Sequence, residues 1–205
     1  MTWIDISQPL RSTTAVWPGD APFSYRLVAT LEADGANVGE MTASMHIGTH
    51  VDAPFHYKED GVTIDRLSPE LFIGEALVVD LRGHEVIYAS HFADVDLTGV
   101  SRVLVKLRDE VEVDKFPVSY PIFDESVAEF LCDKGVKLIG VDTPSVDAVE
   151  NVSLTMHNAC AKYNLIIIEN LLLQDVSSGL YDFIGLPLRV EGGDGSPIRA
   201  VLKRK

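Results

Sequence analysis

Apolar and polar residues alternate along a short stretch of the first quarter of the chain, Met45–Tyr57. Odd positions carry Met, Ile, Thr, Val, Ala, Phe or Tyr, and even positions carry His, Gly, Asp or Pro. Because the side chains of an extended chain alternate between two faces, this pattern predicts a strand with one apolar face. The opposite face holds three of the six histidines and one carboxylate: His46, His50, Asp52 and His56.

A flat strand cannot bring His46 and His50 to one metal ion. Four residues of strand separate Cα atoms by about 13 Å, whereas each nitrogen must lie about 2.0–2.1 Å from a zinc ion. We therefore expect a bend at Gly48 and a second turn at Pro54. The helical alternative is disfavoured by Gly48 and Pro54, and no glutamate follows His46 as a metalloprotease helix requires. The segment is predicted to curl around a metal.

Three imidazoles and a carboxylate suit zinc, manganese or a similar cation. A hydrolytic zinc site keeps three protein ligands and one position open for water. From the residues alone, His56 is either a further ligand or an acid/base beside the metal. Two distant residues are weaker candidates: His157 in a predicted short helix, and Glu169 at the end of an apolar run. A charged glutamate there costs free energy unless it is paired or bound to metal, or it lies at the surface.

The remaining pattern predicts a mixed α/β fold that is mostly sheet. Helices are expected over Asp124–Lys134 and Thr155–Tyr163, with a further one after Ser68. We see no repeat and no linker, so residues 1–205 are predicted to form one domain. Strands are predicted at Trp3–Ile6, Ser24–Leu31, Ala76–Leu81, Val103–Leu107, Val136–Val141, Leu165–Ile168, Phe183–Val190 and Ile198–Leu202.

The composition restricts the classes of molecule that the chain is expected to bind. The chain of 205 residues is 46% hydrophobic and 23% charged, which is typical of a globular protein. Its formal net charge of -14 and the lack of a basic patch argue against nucleic acid and anionic membrane. Two cysteines suit a reducing cytoplasm, and neither a signal peptide nor a membrane span is expected.

Residues 46–56, HIGTHVDAPFH, match the His-x-Gly-Thr-His-x-Asp-x-Pro-x-His signature of the cyclase-like metal-dependent hydrolases. Val16–Asp20, Gly140–Asp147 and Asp194–Ala200 also resemble that family. Within it, the chain is most similar to the bacterial kynurenine formamidases. The resemblance implies a swivelling β/β/α fold, a homodimer, and hydrolysis of N-formylkynurenine, a small molecule, to kynurenine and formate.

The resemblance also implies roles for individual residues. His46, His50 and Asp52 would hold one divalent metal, and Asp52 and Glu169 would be shared with a second, held also by His157. Two zinc ions per subunit are expected, with manganese or another metal as the alternative. His56 would be the general acid/base, and Trp17 would lie against the substrate. The alternatives are a related hydrolase acting on another amide or on a cyclic amide such as isatin, and a non-catalytic metal-binding protein.

Overall fold

The computed structural model describes residues 2–205, in which thirteen strands and three α-helices form. The helices are α1 Leu31–Asp34, α2 Ser126–Asp133 and α3 Thr155–Tyr163, and short 3-10 helices cover Pro54–His56, Ile64–Arg66, Pro69–Phe72 and Ala89–Phe92. The strands are β1 Ile4–Asp5, β2 Ser24–Ala29, β3 Val38–Thr42, β4 His50–Asp52, β5 Ile73–Asp80, β6 Val86–Ile87, β7 Arg102–Lys106, β8 Ile122–Phe123, β9 Leu138–Val141, β10 Ile166–Glu169, β11 Gly179–Ile184, β12 Gly195–Pro197 and β13 Val201–Arg204.

Nine of the strands form one curled sheet in the order β1-β13-β11-β5-β7-β9-β10-β4-β12. Strands β5, β7, β9 and β10 run parallel, and the outer pairings are antiparallel. The expectation of a mixed α/β fold that is mostly sheet is confirmed. Two further pairs, the hairpin β2–β3 and the short pair β6–β8, lie outside this sheet.

The central parallel strands are buried on both faces, as their unbroken apolar sequences predict. Alternate residues enter different clusters. Val103, Val105 and Ile139 pack with the apolar sides of α2 and α3 on one face. Leu104 and Ile168 pack on the other face with residues of the outer strands and loops. The sheet is therefore a rigid middle layer.

Both longer helices agree with the sequence patterns. Helix α3 has the predicted bounds, and α2 lies inside the predicted Asp124–Lys134. Asp124 accepts a bond from the Ser126 amide at the start of α2, and Gly135 ends it with a left-handed φ of 84°. The segment after Ser68 forms a 3-10 helix. No helix among residues 2–205 is long and apolar enough to cross a membrane.

Several strand predictions are wrong in extent. The strand predicted over Ser24–Leu31 ends at Ala29, because α1 begins at Leu31, and the strand predicted over Ile198–Leu202 begins only at Val201.

The alternating segment Met45–Tyr57 is a strand only over His50–Asp52, because turns precede it and Pro54 begins a 3-10 helix. The strand predicted over Phe183–Val190 ends at Ile184. Beyond Ile184 the amide of Gly185 donates to the carbonyl of Phe72, and Pro187 makes only an isolated bridge with Ile198.

Parallel strands β7, β9 and β10 end at one edge of the sheet. Arg108 follows β7, Asp142 follows β9, and Glu169 is the last residue of β10. Ligands of open α/β sheets bind outside this carboxyl edge. Residues of all three strand ends line or border one cleft of about 430 Å³.

Candidate metal centre

Strand β4 is short, and its register places the central residues of the site. It pairs antiparallel with β10 and with β12, so that His50 lies opposite Glu169 and Asp52 lies opposite Gly195. Directly opposed residues of an antiparallel pair share a face. His50, Asp52 and Glu169 therefore point to one side, while Val51 is fully buried in the core on the other. Alternation is confirmed for these three residues of β4.

The predicted bend at Gly48 is confirmed, since this residue has a φ of +58°. Its carbonyl oxygen accepts a hydrogen bond of 2.8 Å from Nδ1 of His50. Because a carbonyl can only accept, Nδ1 carries a proton, and Nε2 is the ring nitrogen available to a metal ion. The bend thus fixes the tautomer of His50 with Nε2 facing the site.

His157 is oriented in the same way by Asp147, which lies in the loop after β9. Its Nδ1 donates to Asp147 Oδ2 over 2.7 Å. The same carboxylate accepts the backbone amides of Met156 and His157 at 3.0 Å each, and so caps the first turn of α3. One buried side chain therefore starts the helix and turns Nε2 of His157 toward β4.

Asp52 and Glu169 each present one oxygen to each of two imidazoles. Nε2 of His50 lies 3.3 Å from Asp52 Oδ1 and 3.5 Å from Glu169 Oε2. Nε2 of His157 lies 3.3 Å from Asp52 Oδ2 and 3.6 Å from Glu169 Oε1. The four side chains thus form two nitrogen–oxygen groups that share both carboxylates.

These separations suit a metal better than hydrogen bonds. Two ligands about 2.0–2.1 Å from a tetrahedral zinc ion lie about 3.3 Å apart, whereas hydrogen bonds between nitrogen and oxygen centre on about 2.9–3.0 Å. Asp52 Oδ2 is buried and accepts no hydrogen bond from the described residues. A divalent metal ion would satisfy this oxygen. The donor set therefore fits divalent metal ions.

The pKa shifts at the site also indicate a place where positive charge is stabilised. Burial alone would lower the pKa of His50, but Asp52 and Glu169 outweigh it and raise that pKa to about 10. His157 behaves likewise beside Asp147 and Asp52, with its pKa raised to about 10. Burial and the neighbouring Asp52 raise the pKa of Glu169. The buried carboxylates therefore favour protonation of the neighbouring imidazoles, and a bound metal ion would displace these protons.

His46 lies at the entrance to this cluster. Its Nδ1 is 2.9 Å from Asp52 Oδ1, and its Nε2 is 3.0 Å from Asp194 Oδ2. Gly195 makes room for the ring, because a Cβ on that residue would lie 2.9 Å from Cε1 of His46. His46 and Asp52 also form a second possible ligand group with His56.

His56 lies next to the cluster rather than inside it. The 3-10 helix that Pro54 begins brings its ring centroid within 3.9 Å of that of His46 and 6.2 Å of that of His157. Its side chain is 34% exposed, against 2% for His50 and 3% for His157. Burial is the main cause that lowers its pKa, so the ring is neutral near pH 7. His56 faces the cleft.

Trp17 lines the same cleft, half-buried, in a loop that precedes β2. Its ring meets Phe116 edge to face with 5.5 Å between centroids. The two aromatic rings form an apolar wall, and at about 430 Å³ the cleft suits a small aromatic molecule.

The structure brings together all the residues singled out from the sequence: Trp17, His46, His50, Asp52, His56, His157 and Glu169. Sequence reasoning missed the orienting roles of Asp147 and Asp194, because both lie in Gly- or Ser-containing stretches that turn formation explains equally well. Phe116 and Arg108 were also missed, since they belong to a long loop without periodicity.

A buried group of imidazoles and carboxylates at the edge of a mixed sheet is typical of metal-dependent hydrolases. The Cyclase family model matches residues 4–148, and the chain belongs to this family. It is 42% identical to the kynurenine formamidase of Bacillus cereus, over 98% of this chain and 97% of that one. It is 41% identical to the kynurenine formamidase of Bacillus anthracis over the same shares. The predicted resemblance is confirmed.

Solved structures share the fold. A potential metal-dependent hydrolase with cyclase activity has a TM-score of 0.84 at 26% identity, over 98% of this chain and 96% of that one. Isatin hydrolase A from Ralstonia solanacearum has a TM-score of 0.81 at 22% identity, over 100% and 92%. The isatin hydrolase shows the fold alone at this identity.

Replacing Asp147 tests the link between α3 and His157. Asp147→Ala removes the carboxylate that accepts two backbone amides at the helix start and that also accepts from Nδ1 of His157. We expect the free energy of unfolding to fall by about 1–3 kcal/mol, measured by urea denaturation. Asp94→Ala, at an exposed loop position, is the control and should stay within about 0.5 kcal/mol of wild type. Equal denaturation midpoints for both variants would contradict the double role of Asp147.

Proposed function

We propose that the protein is a metal-dependent amidohydrolase that converts N-formyl-L-kynurenine to L-kynurenine and formate. The observation that carries the proposal is the cluster in which Asp52 and Glu169 each give one oxygen to His50 and one to His157. Relatives named kynurenine formamidases, more than 40% identical over nearly the whole chain, supply the substrate class. The cleft with its aromatic wall accommodates an aryl formamide.

We assign the ligands to two divalent ions, zinc first and manganese or another metal as the alternative. His46 and His50 would hold the first ion and His157 the second, and Asp52 and Glu169 would contribute to both. Each carboxylate faces His50 with one oxygen and His157 with the other, and this geometry supports two ions rather than one. When bound, the ions would supply an activated water and polarise the formyl oxygen.

The remaining steps fall to the side chains around the cluster. His56 takes a proton from the attacking water as its oxygen bonds to the formyl carbon. The same ring returns the proton to the aniline nitrogen as the carbon–nitrogen bond breaks, which leaves formate and the free amine. Trp17 holds the aryl ring. The exposure of His56 to the cleft and its place beside His46 support this role.

A second candidate is hydrolysis of a cyclic amide such as isatin. It is favoured by the shared fold with isatin hydrolase A. The formamidase proposal is preferred because the identity to the formamidases is about twice as high.

We further propose that residues 1–205 act as a single domain in a cytoplasmic homodimer. The nine-stranded sheet takes strands from both ends of the chain. The hairpin β2–β3 carries Tyr25, Leu27 and Met41 on one face, and these side chains are 61%, 48% and 61% exposed. Its other face carries the pair Arg26–Glu40. A two-stranded hairpin is marginal alone, so its apolar face suits an interface.

Turnover of N-formylkynurenine tests the main proposal. Protein stripped with a chelator should be inactive, and zinc or manganese should restore hydrolysis, followed by the absorbance of kynurenine. Metal analysis of the active protein should give two ions per chain, and Glu169→Gln should reduce that number. Isatin serves as the rival substrate. No turnover of N-formylkynurenine above the stripped protein, or preferred turnover of isatin, would refute the formamidase assignment.

Replacing His56 tests the proton transfer. His56→Ala should keep both metals and lose on the order of 10²- to 10⁴-fold in kcat. His84→Ala, which removes an exposed histidine away from the cleft, is the control and should keep wild-type kcat. A His56→Ala protein that holds its metals and turns over at the wild-type rate would exclude the acid/base role.

The molar mass in solution tests the dimer. Light scattering should give twice the chain mass of 22.5 kDa for the wild-type protein. The double variant Tyr25→Ser, Met41→Ser should shift toward monomer, because it removes apolar area from the exposed face of the hairpin. Arg26→Ser, on the opposite face, should leave the mass unchanged. A monomeric wild type would exclude the homodimer, and an unaffected double variant would move the interface elsewhere.

A further inference from the structure

One cation of the cleft has no partner in the described part of the chain. Arg108 lines the cleft, half-buried, and its guanidinium forms neither an ion pair nor a hydrogen bond with any residue of 2–205. Other cations nearby are neutralised: Lys115 lies 3.3 Å from Glu112, and Arg11 lies 3.1 Å from Asp114. Of the lysine and arginine side chains that line the cleft, Arg108 is therefore the one without an ion pair among residues 2–205.

The backbone that carries Arg108 is held firmly. The buried carboxylate of Asp142 accepts the amide of Leu107 at 3.0 Å and that of Arg108 at 3.2 Å. Asp142 thus accepts its hydrogen bonds from the main chain, and the guanidinium of Arg108 acts on it through charge alone, without an ion pair or a hydrogen bond. The position of Arg108 is fixed by the ends of β7 and β9, which are core strands of the sheet.

Arg108 and the metal centre lie at the same edge of the sheet but on different strands. Glu169 ends β10, and Arg108 follows β7, with β9 between them. Two strand spacings correspond to about 10 Å. A molecule whose reacting group sits at the cluster can therefore reach Arg108 with a group at its other end, across the aromatic wall of Trp17 and Phe116.

The remaining charges of the cleft would repel an anion. Asp20 and Asp194 line it in addition to Glu169, whereas Glu112 is paired with Lys115. A guanidinium binds a carboxylate with two parallel hydrogen bonds, which a lysine cannot reproduce. N-formylkynurenine carries an α-carboxylate at the end opposite its formamide, and isatin carries none.

From these observations we infer that Arg108 binds the α-carboxylate of the substrate and selects aryl formamides that carry one. This inference rests on the proposed formamidase function. It makes Arg108 a specificity-determining residue, distinct from the groups that act on the formyl carbon.

The decisive comparison uses two substrates that differ only in the carboxylate, N-formylkynurenine and its decarboxylated analogue N-formylkynuramine. The wild-type enzyme should prefer the acid by on the order of 10- to 100-fold in kcat/KM, the range expected for a charge-assisted pair. Arg108→Gln should remove this preference, mainly by raising KM for the acid. Arg108→Lys should restore part of it, since it keeps the charge but not the fork.

Arg189→Gln is the matched control, because it removes an exposed arginine that does not line the cleft, and it should keep the preference. Thermal unfolding of each variant checks that it is folded. An Arg108→Gln enzyme that still prefers the acid, or that loses both substrates equally, would overturn the inference while the formamidase function stands. A wild-type enzyme that hydrolyses neither substrate would overturn both.

Discussion

Two carboxylates buried side by side are the constraint on which the site depends. Asp52 is 1% exposed and Glu169 is 4% exposed, and each raises the cost of ionising the other in a medium of low dielectric constant. Such a pair persists only if positive charge balances it. The nearest residues supply imidazoles rather than lysine or arginine, so that the balancing charge can be a proton or a metal ion. Because a metal ion can replace these protons, the cluster can bind a metal, which a fixed ion pair with lysine or arginine could not do.

An imidazole can bind a metal only through a ring nitrogen that carries no proton. The local structure determines which of the two nitrogens keeps its proton. The left-handed conformation of Gly48 presents a carbonyl to His50, while Asp147 caps α3 and accepts from His157. In both rings the nitrogen away from the centre is the donor, which leaves Nε2 free toward the carboxylates. The same bonds that shape the turn and start the helix therefore set the ligand tautomers.

Much of this centre could be predicted from the sequence because it is encoded locally. His46, His50, Asp52 and the bend at Gly48 fall within seven residues. His50 and Asp52 alternate along β4, and the turn at Gly48 brings His46 to the same side. Glu169 was recognisable only as a charge at the end of an apolar strand, since its register with His50 is a long-range pairing. Asp147 and Asp194 gave no distinct signal: an aspartate that orients a histidine and one that forms a turn occur in the same kind of loop. The strand bounds failed where another element interrupts the ladder, as the 3-10 helix at Pro54 does.

The division of labour between sheet and loops explains how one fold can serve several hydrolases. The cluster comes from paired strands and a helix start, which cannot shift without disturbing the core. The outer wall of the cleft comes from segments without regular structure, residues 11–20 and 108–118. These two loops are bound to each other, through the amide of Ala15 on the carbonyl of Val113 and the hydroxyl of Thr13 on Asp114. They can therefore vary together while the candidate metal ligands stay in register, and substrate preference can change without a change in the chemistry at the centre.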